Sequence, residues 1–316
     1  MIAPLFPPQL KKGDTIGIIA PAGRLHDTNR FIGGVKILRE MGFEVKFPRE
    51  FWPGKEYFAD TDENRGQEIN RLFRDQEVKA LIALRGGYGC IRMIDKIDLS
   101  LVRCNPKPIV GFSDITILQN YLYATTGLVS LHGPVVASLG GADRDALECL
   151  YLCLTGKWSH AEYAGEIEVL KKGPKVTAPL VGGNLASLLT LLGTAYDFSW
   201  DNKIIFLEDT EEPAYRVDRM LTQLKLAGKL DNIAGLILGD FSLAQCTQHS
   251  EKTGYLQNIW ARALELCDRR IPIWGNFPSG HCSHNLTLPL GAVAEMNPEK
   301  SMLSFQLASA GRGYDV

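Results

Sequence analysis

Neither sign of charge dominates this 316-residue chain: 34 lysines and arginines stand against 36 aspartates and glutamates, a net charge of −2. No dense basic run offsets that balance, since Lys171-Lys172 is only a pair. Nucleic acid and anionic membrane surfaces, which need a one-signed face, are therefore not expected partners. Long apolar runs are missing too, and none approaches the roughly 18 residues of a membrane-spanning helix. The seven cysteines (90, 104, 149, 153, 246, 267 and 282) are odd in number and follow no framework. They read as reduced thiols. The amino-terminal residues 1–13 hold Pro4, Pro7 and Pro8 without a long apolar core, so no signal peptide is expected and the cytoplasm is the expected compartment. Phosphate fingerprints fail as well. After Gly87-Tyr88-Gly89 the third glycine position is Arg92, and Gly54-Lys55, Gly156-Lys157 and Gly228-Lys229 all lack the following Ser or Thr. No nucleotide cofactor is implied.

What is present is an ordinary globular composition, 45% hydrophobic and long enough for about two domains. Residues 15–20 (TIGIIA) read as a buried strand running into Pro21-Ala22-Gly23. Phe31, Val35 and Leu38 recur at helical spacing before Gly42; residues 43–47 suggest a strand and 60–74 an amphipathic helix. Further strands are expected at 81–84 and 108–110. Strands alternating with helices point to an α/β fold with a parallel, Rossmann- or flavodoxin-like sheet. Residues 156–175, rich in glycine and weakly periodic, read as a linker between a domain at 1–155 and another at 176–316. The second half mixes strands (178–181, 203–207, 235–238) with helices (184–192, 213–227, 255–267). It ends in a strand-rich tail at 286–307 and a loose end at 308–316.

Four loops follow expected strands, where open parallel sheets bind ligands. Arg85-Gly86-Gly87-Tyr88-Gly89 is either a tight turn or a cradle of N–H groups for an oxyanion. Gly111-Phe112-Ser113-Asp114 puts a serine on a strand-to-helix turn, although Ile115 breaks the G-x-S-x-G pattern; read as physics alone, Ser113 or Asp114 as a helix cap is favoured. Leu207-Glu208-Asp209-Thr210-Glu211-Glu212 reads as a solvated acidic loop ahead of a helix or as the source of a carboxylate that orients a histidine, and Glu208, which abuts the apolar strand, is the one positioned to be partly desolvated. Pro278-Ser279-Gly280-His281-Cys282-Ser283-His284 holds two histidines around a thiol. A zinc site is conceivable, but the H-C-x-H spacing matches no recognised one and no partner cluster appears elsewhere; a general base at His281 is the sharper reading. His132-Gly133-Pro134 carries lower weight, while His26, His160 and His249 read as surface or packing residues. Together the loops offer a nucleophile, an acid and a base, the parts acyl transfer requires.

These pieces, with Gly17-Ile18-Ile19-Ala20-Pro21-Ala22-Gly23 and Gly182-Gly183-Asn184-Leu185, resemble the L,D-carboxypeptidase family of serine peptidases in family order over nearly the whole chain. That family includes muramoyltetrapeptide carboxypeptidases and microcin C self-immunity peptidases. The resemblance reverses the cap reading of Ser113. It implies Ser113 as nucleophile, His281 as base and Glu208 as the orienting acid, with the Asp114 N–H and the Gly86-Gly87 turn as oxyanion hole. His284 is a rival base that the family pattern disfavours. The resemblance further implies an amino-terminal α/β domain bearing the serine and a smaller mixed-sheet α+β domain bearing Glu208 and His281. A homodimer without metal or cofactor is implied as well. The implied reaction removes the terminal D-alanine from peptidoglycan tetrapeptides in cell-wall recycling. Hydrolysis of aminoacyl nucleotide amides is the alternative, and a non-enzymatic ligand-binding protein is the reading from another class.

Overall fold

The computed structural model describes residues 2–47, 52–160, 163, 167–243 and 249–306. The loose end expected at 308–316, Cys246 and Gly165 of the expected linker lie outside them. Five strands form the parallel part of the first sheet: β1 (Thr15–Ile19), β2 (Glu44–Lys46), β3 (Val78–Ala83), β4 (Ile109–Gly111) and β5 (Ser130–His132). All are parallel, in the order β2-β1-β3-β4-β5, which is flavodoxin-like winding. The connecting helices form where the sequence supplies caps. Asp27 accepts from Asn29 N–H at the start of Thr28–Glu40, and Thr61 caps Asp62–Arg74. That second helix carries Asp62 and Glu63 in its first turn and Arg71 and Arg74 in its last, matching the helix dipole.

The second sheet contains β6 (Glu168–Lys171), β7 (Val176–Asn184), β8 (Ile204–Thr210), β9 (Gly235–Ser242) and β10 (Ile273–Gly275). Strands β7 to β10 are parallel neighbours, and β6 joins β10 antiparallel. The chain then returns to the first sheet, where β11 (Leu288–Leu290) pairs antiparallel with β5. A hairpin of β12 (Val293–Asn297) and β13 (Met302–Phe305) finishes the second sheet beside β7. Two features differ from the expectation. The stretch read as a linker at 156–175 contains β6, an edge strand too exposed to show a clean period. In addition, β11, placed by sequence with the second domain, completes the sheet of the first.

The two sheets are also joined through the helix that follows β4, Ile115–Thr126. Its buried Asn120 exchanges two bonds with β7: Nδ2 donates to Gly182 O at 2.8 Å, and Gly182 N–H donates to Oδ1 at 3.1 Å. One turn earlier, Thr116 Oγ1 accepts from Asn184 N–H at 3.0 Å. Buried bonds of this kind resist separation because parting them strands polar groups away from water. The helix leaving Ser113 is thereby fixed against the strand next to β8, which carries Glu208.

Candidate active site

Ser113 sits between β4 and its helix with φ +63°, one of few non-glycine residues in the left-handed region. Such strain persists where the surroundings over-determine it, and here it turns the side chain off the carboxyl end of the sheet. The capping alternative is not realised: Asp114 occupies the N-cap position without a side-chain cap bond. Its carboxylate instead accepts from Cys90 N–H at 2.8 Å, tying down the far end of the Gly86-Gly87 loop. Burial, the largest influence, pushes the Asp114 carboxyl above its ordinary range. Arg65, fully buried, grips the same loop by donating to Gly89 O at 3.0 Å, and also bonds Pro21 O and Asp62. The following amides are spent within the turn: Ile115, Thr116 and Ile117 N–H donate to the carbonyls of Phe112, Ser113 and Asp114. Among the described residues, the Asp114 N–H and those of Gly86 and Gly87 make no such backbone bond.

Gly86 lies directly against the serine. A Cβ there would stand 2.7 Å from Ser113 Cβ and 2.8 Å from its Oγ. Ser113, Gly86, Gly87, Phe112 and His281 line one cavity of about 450 Å³ that also receives Arg30, Arg85 and His26. The His281 ring rests edge-on against Phe112, with centroids 4.7 Å apart. Its Nδ1 stands 2.7 Å from Glu208 Oε2, so the Nε2 edge is the one left for a reacting group. Gly280, at φ +133°, is what lets the loop come so near: a Cβ there would meet Glu208 Oε2 at 3.0 Å.

Glu208 is fully buried at the end of β8. Opposite it, β9 carries an extra residue, because the register shifts between the pairs Leu207–Leu238 and Asp209–Phe241. Bulges of this kind re-aim side chains beside functional sites. Burial, the largest influence, favours the neutral acid. The imidazoles of His132 and His281 overcome it and hold the carboxyl down at about 2. His281 is shifted the other way. Burial alone would lower it, but the Glu208 carboxylate, then Asp209 and Asp240, lift it above the ordinary 6.5. The neighbouring Asp209 is pushed up to about 6, by burial first and by the Glu208 charge second. It accepts from Asn184 Nδ2 and Ala186 N–H, and so braces the ends of β7 and β8.

Models of the LD-carboxypeptidase N-terminal domain and C-terminal domain match residues 16–133 and 177–296. This chain belongs to the LD-carboxypeptidase family. A probable murein peptide carboxypeptidase of Bacillus subtilis is 36% identical over 295 residues, spanning 92% of this chain and 91% of the relative. Among solved structures, an MccF-like protein of Bacillus anthracis superposes with a TM-score of 0.84 at 28% identity, covering 96% of this chain and all of that one (100%). A muramoyltetrapeptide carboxypeptidase of Oxalobacter formigenes gives a TM-score of 0.75 at 30% identity, over 92% and 97%.

Within this family member, the rival histidine is engaged elsewhere, since His284 Nδ1 stands 2.7 Å from Asp143 Oδ2. Sequence reasoning underweighted His132, which is wholly buried beside Glu208. It also assigned no role to Arg30, Arg65 or Arg85. A lone arginine on a polar helix carries no sign that its guanidinium will be buried. The fit of Gly86 makes a prediction. Gly86→Ala drives a methyl onto Ser113 Oγ and is expected to cut kcat/KM by ~10²-fold or more, as an ångström-scale misplacement does. A methyl 2.7 Å from the Ser113 Cβ also forces the turn to shift, so the thermal midpoint is expected to fall as well, and steady-state kinetics beside a melting curve check both.

Proposed function

We propose that this peptidase is a serine-type L,D-carboxypeptidase that releases the terminal D-alanine of peptidoglycan tetrapeptides during cell-wall recycling. The observation that carries the reading is the strained Ser113 sharing one cavity with an imidazole whose far nitrogen is held by a buried carboxylate. Ser113 Oγ attacks the carbonyl carbon of the L-centre as His281 Nε2 takes its proton. The negative charge moves onto the carbonyl oxygen, where the Asp114 N–H and the Gly86-Gly87 amides receive it. A preorganised donor of this kind is worth ~2.7–4 kcal/mol of barrier. His281 returns the proton to the departing amine, the C–N bond breaks, and D-alanine leaves. Water, deprotonated by His281, then hydrolyses the Ser113 ester. Release of free D-alanine from a murein tetrapeptide, with no release from the corresponding tripeptide, tests the assignment.

An exopeptidase must also recognise a free carboxylate. Arg85 is half-buried on the Ser113 cavity, and among the described residues its guanidinium donates to the carbonyls of Gly86 and Arg24, each at 3.2 Å. Burial first and the Arg30 charge second lower its pKa. Arg85→Met is expected to raise KM by roughly 10–100-fold, the worth of a hydrogen bond to a charged group, with a smaller change in kcat. An amidated tetrapeptide should lose the difference between the two proteins.

The second reading, hydrolysis of an aminoacyl nucleotide amide, draws on the likeness to the MccF-like structure. A base-stacking tryptophan would favour it. All five tryptophans of the chain are buried, and Trp52 is bonded through Nε1 to Glu68. Tyr57 and Tyr88 are exposed, with ring centroids 6.1 Å apart, so assaying an aminoacyl sulfamoyl adenosine beside the tetrapeptide is what separates the two readings. Homodimerisation and a cytoplasmic site of action belong to the same proposal, with sedimentation and fractionation as their checks.

A further inference from the structure

Glu208 has a second oxygen that the relay does not use. Among the described residues, Oε1 is buried without a hydrogen-bond partner, and so is Nε2 of His132; the two atoms stand 3.9 Å apart, both side chains wholly excluded from solvent. The His132 ring is held edge-on between Phe206, with centroids 5.0 Å apart, and Phe112, at 6.1 Å. Its other nitrogen, Nδ1, faces Ser279 Oγ at 3.4 Å. Ser279 lies two residues before His281, so one side chain of the base's loop and the carboxylate of the relay both face this imidazole. Orphaned buried polar atoms are rare in folded proteins because each has lost water without gaining a partner. A donor on Nε2 would satisfy both orphans at once; the Ser279 hydroxyl donates to Leu286 O at 2.8 Å and also faces Asn285 Oδ1 at 3.2 Å, so its 3.4 Å contact with Nδ1 competes more weakly for the imidazole proton than a buried carboxylate does.

We propose that His132 is a positioning residue for the hydrolysis, its Nε2–H directed at Glu208 Oε1 so that the carboxylate is clamped between two imidazoles. The inference rests on the serine-hydrolase reading. With Oε1 anchored, Oε2 cannot swing away from His281 while that ring gains and loses its proton, and the charge of Glu208 is divided between two donors. Other ionisable groups also face the pair. Asp209 and Asp240 look on His281 from β8 and β9, with Lys252 near Asp240, while His26, Asp27, Arg30 and Arg85 share its cavity. All of these remain in place when His132 alone is changed.

The test is a pH profile of kcat/KM for the parent, His132→Phe and His132→Gln, together with nitrogen-15 histidine spectra of Ser113→Ala protein. Without the second donor, Glu208 gives its full charge to His281, the imidazolium is stabilised, and the acid limb of His132→Phe moves to higher pH. Its kcat is expected to fall about 10–100-fold, as when an outer partner of a working ligand is lost, with KM little changed. His132→Gln, whose amide can donate to Oε1, recovers the parental limb. The spectra should show His132 protonated at Nε2, a readout that does not depend on turnover or on either variant folding. A parental acid limb in His132→Phe, or an Nδ1-protonated His132 with bare Nε2, overturns the inference. Full activity in Ser113→Ala would instead defeat the serine-hydrolase reading, leaving the spectra to report on the His132–Glu208 contact alone.

Discussion

Ser113→Ala is expected to abolish tetrapeptide hydrolysis, with a loss on the order of 10⁶-fold in kcat if the relay acts as a unit. The oxyanion donors and the binding cavity survive this substitution, so substrate affinity measured by calorimetry should stay near the parental value. Stability is expected to hold or rise. The left-handed backbone at residue 113 is imposed by the strand, by the helix packed on β7 and by the loop pinned through Asp114 and Arg65. None of these contacts uses the hydroxyl. A variant that lost structure together with activity would mean that Ser113 holds the turn together.

Glu208→Gln carries the second large effect, because it removes the charge that sets the protonation of His281. The base must be neutral to accept the Ser113 proton. Its folded pKa lies above the ordinary 6.5, since Glu208 outweighs the burial that would lower it. In the parent, kcat/KM therefore falls as pH drops through a value above 6.5. Glu208 itself, held at about 2, stays ionised throughout that range and adds no limb of its own. With glutamine in place the burial remains and the largest part of the lift is gone, leaving only Asp209 and Asp240, so the acid limb moves to lower pH. The plateau rate falls on the order of 10⁴-fold, the size of the effect when an orienting acid becomes an amide. A pH–rate series reads both at once. An acid limb that stayed in place would remove Glu208 from the relay.

Much of the first sheet was legible because β1, β3 and β4 are short, largely apolar runs closed by turn signals. The candidate site was read through the family resemblance, since turn chemistry alone located the loops but favoured a cap at Ser113. A chain leaving a parallel strand must change direction, and Gly111-Phe112-Ser113 and Gly280-His281 carry the residues such turns demand. Other features left no local trace. The strand β11 is three residues long and includes Pro289, so nothing in its own sequence announces that it will add to β5. The edge strand β6 is half-exposed along its length and reads as a linker. The contact between Asp114 and Cys90 joins residues 24 apart, and that between His132 and Glu208 arises only when the ends of β5 and β8 meet. The capping preference of Ser and Asp was a sound local rule. It lost here because a carboxylate in reach of a glycine-rich loop is worth more at Cys90 than at its own helix.

The central claim is that Ser113, His281 and Glu208 act as one nucleophilic relay, and covalent trapping tests it most directly. Incubating the protein with a peptidyl phosphonate and mapping the adduct by mass spectrometry should place one phosphonyl group on Ser113. The rate of labelling should rise with pH as His281 becomes neutral, and His281→Ala should suppress it. A protein that cleaves the tetrapeptide while Ser113 stays unlabelled, or one labelled equally fast without His281, would contradict the account.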